Sequence, residues 1–254
     1  MIKKSTSYRS TLLLGVVLFL QLSIISFGQV DNPFTDHVPL EYIEFIRSGG
    51  TDGPEAVVTD AFGYDNFNLG TAFAEPHIVQ NPNNPLQYFA SFNTNTAYRT
   101  DDAFNWTVST PPFGATAYGD PVNAYDSLGN LFYETMSGSG TIQNCRVIRS
   151  TNNGATWSTS VIAVLGNDKN WIAADQSAGP YSNYLYTTMT PGNFNRSTDG
   201  GATFVQTATF GTQSLPGMMV AVGPNTVSGD VPGGCVYVVT NSGSAFASTY
   251  TFYV

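Results

Sequence analysis

The pattern that decides the fold is Arg149-Ser150-Thr151-Asn152-Asn153-Gly154-Ala155-Thr156-Trp157, which returns 47 residues later as Arg196-Ser197-Thr198-Asp199-Gly200-Gly201-Ala202-Thr203-Phe204. A shorter, degenerate copy begins at Arg99, 50 residues before the first of these. Each copy lies between short runs of β-branched and aromatic residues, as turns between strands do. Self-similarity at a period near fifty residues indicates a repeat architecture.

A second signal with the same period marks the start of each unit. Glu75-Pro76-His77-Ile78-Val79 opens the first unit, Asp120-Pro121-Val122-Asn123-Ala124 opens the second 45 residues later, and Asp168-Lys169-Asn170-Trp171-Ile172-Ala173 opens the third after 48 more. Gly217-Met218-Met219-Val220-Ala221 opens a fourth unit without an acid. After each opening comes a turn and then a predicted strand. These strands are Gln87–Phe92, Asn130–Met136, Tyr184–Met189 and Cys235–Thr240.

The fold class follows from this unit. No strong helical period occurs after the N-terminal segment, and each unit reads as four strands. Four-stranded antiparallel units repeating every 40–50 residues or so are typical of β-propeller blades. The sequence therefore predicts an all-β chain, a β-propeller of four-stranded antiparallel blades with about 3.5 blades present.

The repeated turn has a local structural explanation. A serine hydroxyl and an Asp or Asn oxygen can accept backbone N–H groups, glycine allows a left-handed backbone, and the final aromatic ring can fold back as an apolar plug. A calcium loop is the alternative, but an EF-hand needs a Glu at position twelve that is absent here. We name the copies turn A (residues 100–106), turn B (150–157) and turn C (197–204). Their predicted structural residues are Thr100, Asp102 and Trp106; Ser150, Asn152, Gly154, Thr156 and Trp157; and Ser197, Asp199, Gly201, Thr203 and Phe204.

These turns and openings resemble the BNR, or Asp-box, repeats of the sialidase superfamily, in its secreted bacterial form. The resemblance covers roughly residues 75–254. It implies a propeller that usually has six blades, so we expect this chain to be part of a six-bladed or larger ring, truncated where a fourth turn should begin. An open ring of this kind is expected to self-associate. The motif is specific for architecture and not for activity.

The chain is predicted to divide into three segments. Residues 1–28 have the layout of a secretory signal peptide: Lys3, Lys4 and Arg9 precede an apolar run, and the run ends in small residues. A membrane anchor is the alternative reading of the run. Residues 29–70 are a lead-in in which Tyr42–Arg47 or Ala56–Asp60 could form a ring-closing strand, and residues 71–254 are the partial propeller. The mature protein is therefore expected to be secreted, extracellular or on the cell surface.

Charge and cysteine content narrow the function classes. Nine Lys and Arg residues against 18 Asp and Glu give a net charge of −9, which argues against nucleic acid as a partner. No membrane association is expected once the signal is removed. Two cysteines exclude a disulfide-dense scaffold and a multi-cysteine zinc site. Cys145 and Cys235 could pair in an oxidising compartment, or they could be two separate buried thiols.

The sequence leaves the catalytic residues unknown, and its candidates are Glu75, Asp120 and Asp168. Each acid leads the first strand of a unit, which is the innermost strand of a propeller blade. Glycosidases need two carboxylates across the scissile bond, but an acid at this place could also simply cap its strand. Lys169 could simply pair with Asp168. His77 and His37 have no metal-ligand spacing and are expected to be ordinary surface or core residues.

Two function classes remain open. The three arginines with which sialidases grip a carboxylate cannot all be found: Arg99, Arg149 and Arg196 precede the turns, which leaves only Arg47 and Arg146. We therefore expect a propeller that binds a glycan or a cell-surface or extracellular protein on its axial face. A sialidase-like glycoside hydrolase is the alternative, and an adhesin or surface-scaffold module is a weaker one. No cofactor is predicted, and no motif supports an axial Ca²⁺.

Overall fold

The chain is described by a computed structural model at residues 57–59, 65–67, 69, 75–94, 96–210, 217–223, 233–241 and 250–253. These ranges contain strands and turns but no helix, and so none of their segments is a helix suited to cross a membrane. The predicted signal peptide, the strand predicted at Tyr42–Arg47, and the residues His37 and Arg47 lie outside the described residues.

Three antiparallel sheets of four strands follow one another along the chain. Within each sheet the strands are paired in sequence order, so every connection joins neighbours. The first sheet comprises β3 (His77–Asn81), β4 (Asn84–Phe92), β5 (Thr96–Thr100) and β6 (Trp106–Ser109). The second comprises β7 (Thr116–Tyr125), β8 (Leu131–Gly138), β9 (Ile142–Ser150) and β10 (Val161–Leu165), and the third comprises β11 (Asp168–Ala174), β12 (Leu185–Thr190), β13 (Asn193–Ser197) and β14 (Val205–Thr209).

A fourth sheet and a short hairpin complete the described strands. The fourth sheet pairs β15 (Met219–Val222), β16 (Val236–Asn241) and β17 (Tyr250–Tyr253). In the lead-in, β1 (Val57–Thr59) pairs with β2 (Asp65–Phe67) in a separate two-stranded sheet. The Phe67 ring packs on turn A, with its centroid 5.3 Å from that of Phe104.

The first strands of successive sheets are neighbours: β3 lies beside β7, β7 beside β11, and β11 beside β15. Sheets arranged in this way share an inner edge and fan outward, which is the arrangement of propeller blades. The described residues therefore form part of an all-β propeller, as the repeat predicted. The strands predicted after each opening correspond to β4, β8, β12 and β16.

The core lies between consecutive sheets, because each inner sheet buries both of its faces. On β8, Phe132 faces the third sheet while its neighbours Leu131 and Tyr133 face the first. Between the third and fourth sheets, Tyr186 packs with Met218. This packing explains why β8 and β12 are buried along almost their whole length, polar residues included.

Turns B and C close on themselves through a serine hydroxyl. In turn B, Ser150 Oγ accepts the backbone N–H of Asn152 at 3.2 Å and of Gly154 at 2.8 Å. Asn152 Oδ1 accepts the N–H of Thr156 at 2.9 Å. Turn C has the equivalent bonds from Gly201 N–H to Ser197 Oγ at 3.0 Å and from Thr203 N–H to Asp199 Oδ1 at 2.9 Å.

Turn A keeps part of this pattern although it is one residue shorter. Asp102 N–H donates to Thr100 Oγ1 at 3.3 Å, and Asp102 Oδ1 accepts from Phe104 N–H at 2.9 Å. Trp106 begins β6 and packs against Phe67.

Both cysteines are free thiols in the structure. Cys145 is buried on β9, with its Sγ 3.5 Å from Met189 Sδ, whereas Cys235 is partly exposed just before β16. They therefore belong to the second and fourth sheets, which are not adjacent.

Candidate functional site

Three charged residues with strained backbones lie together on or just before the first strands of the first three sheets. Glu75, Asp120 and Lys169 have φ angles of +53°, +49° and +25°. A non-glycine residue in this region costs of order 1–3 kcal/mol, and such strain concentrates at functional sites. The β7–β8 register shifts across Asp120, and the β11–β12 register shifts across Lys169. Such irregularities re-aim side chains, which places these charges at one location.

Glu75 and Asp120 form a hydrogen-bonded carboxyl pair. Asn93, at the end of β4, holds both partners: its Nδ2 donates to Glu75 Oε2 at 2.8 Å, and its Oδ1 accepts the backbone N–H of Asp120 at 2.7 Å. The amide thus holds Glu75 and Asp120 together across the boundary between the first and second sheets. The sequence alone gave no reason to select Asn93.

Lys169 contacts Asp120 rather than the residue beside it in sequence. Its Nζ lies 3.6 Å from Asp120 Oδ2, whereas Asp168 Oδ1 accepts only the backbone N–H of Lys169, at 2.8 Å. The Lys169 ammonium thus pairs with Asp120 and not with Asp168, the partner that the sequence suggested, because the bulge turns it toward the neighbouring sheet. The ammonium also lies over the Trp171 ring, 5.8 Å from its centroid.

The carboxyl pair holds a proton near neutral pH. Burial, followed by the hydrogen bond with Glu75, raises the pKa of Asp120 to about 7, and Lys169 acts in the opposite direction. The hydrogen bond with Asp120 is the main reason that the pKa of Glu75 is lowered. The more buried Asp120 therefore carries the shared proton, and the exposed Glu75 accepts the hydrogen bond.

His77 and Trp171 flank this cluster. The His77 ring meets the Trp171 ring edge-on, with centroids 5.5 Å apart. His77 Nδ1 accepts the backbone N–H of Asn123 at 3.1 Å, which leaves the proton of the neutral ring on Nε2. Burial lowers the pKa of His77, and the charge of Lys169 adds to this effect. We expected an ordinary histidine, and the structure places it beside the charged site with a fixed tautomer.

Asp168 lies close enough to Asp120 for its charge to favour the protonated form of that residue. Glu75 and Asp120 are in direct contact. Glu75 precedes β3 and Asp168 begins β11, but Asp120 lies within β7 at its register shift, so the prediction that Asp120 leads the first strand of its unit is wrong. In the part of the chain that the structure describes, no group of three or more His, Cys, Asp or Glu residues is placed to hold a metal ion. The ammonium of Lys169 supplies a positive charge to Asp120.

A further acid outside this cluster, Glu134, is fully buried between the second and third sheets. Its Oε2 accepts from Asn170 Nδ2 at 2.8 Å, and its Oε1 accepts from the Thr187 hydroxyl. Burial raises the pKa of Glu134 to about 7. Sequence reasoning missed this residue, although a glutamate within the apolar run of β8 was a visible signal.

The arginines that the structure describes make contacts away from the carboxyl pair. Arg99 pairs with Asp101, Arg146 donates to Ser160 Oγ at 3.1 Å, and Arg149 donates to the backbone oxygen of Gly200 at 3.3 Å. Arg196 lies over the ring of Tyr184, 5.6 Å from its centroid.

The contact between Glu75 and Asp120 suits proton transfer, but the two groups are too close to act as the two separate carboxylates of a glycosidase. Glycosidase carboxyl groups stand roughly 5–5.5 Å apart in retaining enzymes and about 6.5–9.5 Å apart in inverting ones, whereas Glu75 and Asp120 are hydrogen-bonded. The pair can therefore act as one acid, with Asp120 as the proton donor. A second carboxylate would have to come from elsewhere.

Comparison with known proteins finds similarity to solved structures. No protein-family model and no curated protein matches the chain. It is similar to the Penicillium chrysogenum alpha-L-arabinanase complexed with arabinobiose, at 16% identity over 65% of this chain and 51% of that chain, with a TM-score of 0.43. The alpha-L-arabinofuranosidase of Fusarium graminearum, solved with an iminosugar inhibitor, gives 10% identity over 70% and 55%, with a TM-score of 0.46.

A third similar structure is the intramolecular trans-sialidase from Ruminococcus gnavus, at 14% identity over 64% of this chain and 35% of that chain, with a TM-score of 0.36. The chain spans about half the length of the first two structures. Similarity at this level concerns the fold, so any function has to be argued from the site.

Proposed function

We propose that the chain is part of a glycoside hydrolase of the propeller type, in which Asp120 is the general acid. The observation that carries the proposal is the hydrogen-bonded Glu75–Asp120 pair beside Lys169, which keeps a proton on Asp120 near neutral pH. A carboxylic acid with a pKa close to the working pH is what protonation of a leaving-group oxygen requires.

The residues have distinct roles in this proposal. Asp120 donates its proton to the glycosidic oxygen as the bond from that oxygen to the anomeric carbon breaks. Water forms the new bond to the anomeric carbon, and a second carboxylate accepts a proton from this water. Among the residues that the structure describes, Asp168 is the candidate for that base. Lys169 stabilises the Asp120 carboxylate left behind, and the rings of His77 and Trp171 offer a surface for the sugar.

A second candidate function is glycan or protein binding without catalysis. The observation that favours it is that the two contacting carboxyl groups are closer than a hydrolase spacing. In this version the same polar groups form hydrogen bonds with a bound ligand. We also propose that the protein is exported, on the basis of its N-terminal sequence, and that its ligand is an extracellular glycan or protein.

The test is hydrolysis of a panel of aryl glycosides and polysaccharides by the full chain, followed by reducing-sugar release. Asp120→Asn should lower activity roughly 10²–10⁴-fold, which is the usual contribution of a general acid. Activity should also fall as pH rises through about 7, where Asp120 loses its proton.

Asp199→Asn is the matched control, because turn B already carries Asn152 at the equivalent position and forms the same turn. Hydrolysis that survives Asp120→Asn would overturn the catalytic assignment. Glycan binding by calorimetry with no hydrolysis of any substrate would favour the second candidate.

A further inference from the structure

The residue that follows β4 places one amide group between the two carboxyl groups of the candidate site. Asn93 Oδ1 accepts the backbone N–H of Asp120 at 2.7 Å, and Asn93 Nδ2 donates to Glu75 Oε2 at 2.8 Å. Because a backbone N–H can only donate, the oxygen of the amide has to face Asp120, and its NH₂ group has to face Glu75. A donor in this place stabilises the charged form of Glu75, since an N–H bonds more strongly to a carboxylate than to a neutral carboxyl group.

The residue before Asp120 leaves the space that this amide occupies. Gly119 has a φ of +116°, and a Cβ on it would lie 2.5 Å from Asn93 Oδ1 and 2.9 Å from Asn93 Cγ. A side chain here would therefore strain the backbone and displace the amide. The hydroxyl of the fully buried Thr135 donates to the backbone oxygen of Gly119 at 2.9 Å, which fixes the glycine from β8.

The register shift in β7 explains why the N–H of Asp120 is available to Asn93. Gly119 pairs with Met136 and Val122 pairs with Glu134, so two residues of β7 lie opposite one residue of β8. Extra residues of this kind lie outside the hydrogen-bond ladder of the sheet. The Asp120 N–H therefore finds its acceptor in the neighbouring sheet.

We propose that Asn93 is a positioning residue of the candidate site, whose amide holds Glu75 against Asp120 and so keeps the shared proton on Asp120. Glu75 is exposed, and without the amide its carboxylate is free to turn toward water. The proton of Asp120 then loses its acceptor. The effect of Asn93 on catalysis rests on the proposed function, whereas its effect on the carboxyl pair does not.

The other charged and titratable groups beside the pair act mainly on Asp120. Lys169 of β11 favours the ionised form of Asp120, and Asp168 favours the protonated form. His77 of β3 has its pKa lowered by burial, and burial raises the pKa of the Cys145 thiol of β9, so both are uncharged at neutral pH. Hydrogen bonds to the Glu75 side chain come, among the described residues, from Asp120 and from the amide.

The experiment is a pH titration of the full chain, with the side-chain carboxyl carbons of Asp and Glu labelled with ¹³C and followed by NMR. The hydrogen bond with Asp120 is the main cause that lowers the pKa of Glu75, and the bond from Asn93 adds to it. After burial, the bond with Glu75 is the next cause that raises the pKa of Asp120 to about 7. In Asn93→Ala the two midpoints should therefore approach each other by about one pH unit, Glu75 rising and Asp120 falling.

Two further variants complete the titration. Gly119→Ala should give the same convergence with Asn93 still present, because the added methyl group displaces the amide. Asn193→Ala is the matched control and should leave both midpoints unchanged, since Asn193 begins β13 and donates to the Leu165 backbone oxygen at 2.7 Å. Glu75→Gln and Asp120→Asn assign the two signals, and circular dichroism shows whether each variant is folded.

Unchanged midpoints in folded Asn93→Ala would overturn the proposal, and so would loss of the fold in both Asn93→Ala and Gly119→Ala, because Asn93 would then serve the sheets and not the proton. If the chain hydrolyses a glycoside, the decline of activity with rising pH should begin at lower pH in Asn93→Ala, with KM unchanged. Converging midpoints in a chain that hydrolyses nothing would support the role of Asn93 and count against the hydrolase. Hydrolysis with unchanged midpoints would do the reverse.

Discussion

Replacing Gly154 with alanine tests whether the repeated turn is specified by backbone conformation alone or also by close packing against the next sheet. Gly154 and Gly140 have the same φ of +75°, so alanine pays the same left-handed penalty at both positions, about 1–2 kcal/mol. The two sites differ in their surroundings. A Cβ on Gly140 would meet nothing within 4 Å, whereas one on Gly154 would lie 2.7 Å from Phe89 Cε2 and 3.2 Å from Trp157 Cζ2.

The expected magnitudes follow from this difference. Overpacking in a filled core costs roughly 1–3 kcal/mol, so Gly154→Ala should lower the free energy of unfolding by about 2–5 kcal/mol. Gly140→Ala should cost only the backbone share, about 1–2 kcal/mol. The reduced entropy of the unfolded chain is the same for both substitutions and cancels in the comparison.

The assay is equilibrium urea unfolding of the parent and both variants, followed by circular dichroism. Equal m-values would show that the difference in midpoint reflects stability and not a changed unfolded state. Equal destabilisation by the two alanines would refute the idea that turn B is seated tightly on Phe89. The backbone conformation of the glycine would then be the whole reason for its presence.

Three further outcomes are expected. Asp199→Ala should destabilise the chain by about 1–2 kcal/mol in the same unfolding assay, as loss of a cap does, while Asp199→Asn should be nearly neutral. A folded-state pKa of about 7 for Glu134 means that stability falls as pH rises from about 4.5 toward 7, because the unfolded state loses its proton first. The free energy of unfolding of Glu134→Gln should therefore exceed that of the parent by about 3 kcal/mol at pH 8 and be similar to it at pH 4.5. The same pH dependence of stability in both proteins would contradict this. In the native chain a thiol reagent should modify Cys235 but not Cys145, whose burial raises the pKa of its thiol, and reaction of both before unfolding would show that β9 is exposed.

The sequence by itself determined the repeating unit, because the information lies within a few consecutive residues. Each turn carries its own hydrogen-bond partners: a serine lies two residues before an Asp or Asn and four before a glycine. The bonds that Ser150 and Ser197 accept from these backbone N–H groups show this. The alternation of such turns with apolar runs then sets the number and order of strands. All-β architecture with four-stranded antiparallel sheets was therefore predictable from local pattern and period alone.

Glu134 shows that the local sequence pattern does not reveal which distant residues will be hydrogen-bond partners in the core. Its buried carboxylate is satisfied by Asn170 and Thr187, which lie 36 and 53 residues further along the chain. The Asn170 Oδ1 atom has no hydrogen-bond partner among the described residues, so this amide can rotate to accept from a glutamine at position 134. Only the packing of two sheets against each other reveals which polar groups will share an interior space.

The same limit applies to the candidate site. The equal place of Glu75 and Asp120 in successive units indicated that they would lie at one end of the sheets, but not that they would share a proton. Tertiary structure decided that, through the Asn93 amide, which binds Asp120 from 27 residues away, and through a bulge that aims Lys169 across a sheet boundary. The sequence period indicates which strand a residue lies on or beside, whereas backbone irregularity and burial determine where its charged group points and what its pKa becomes.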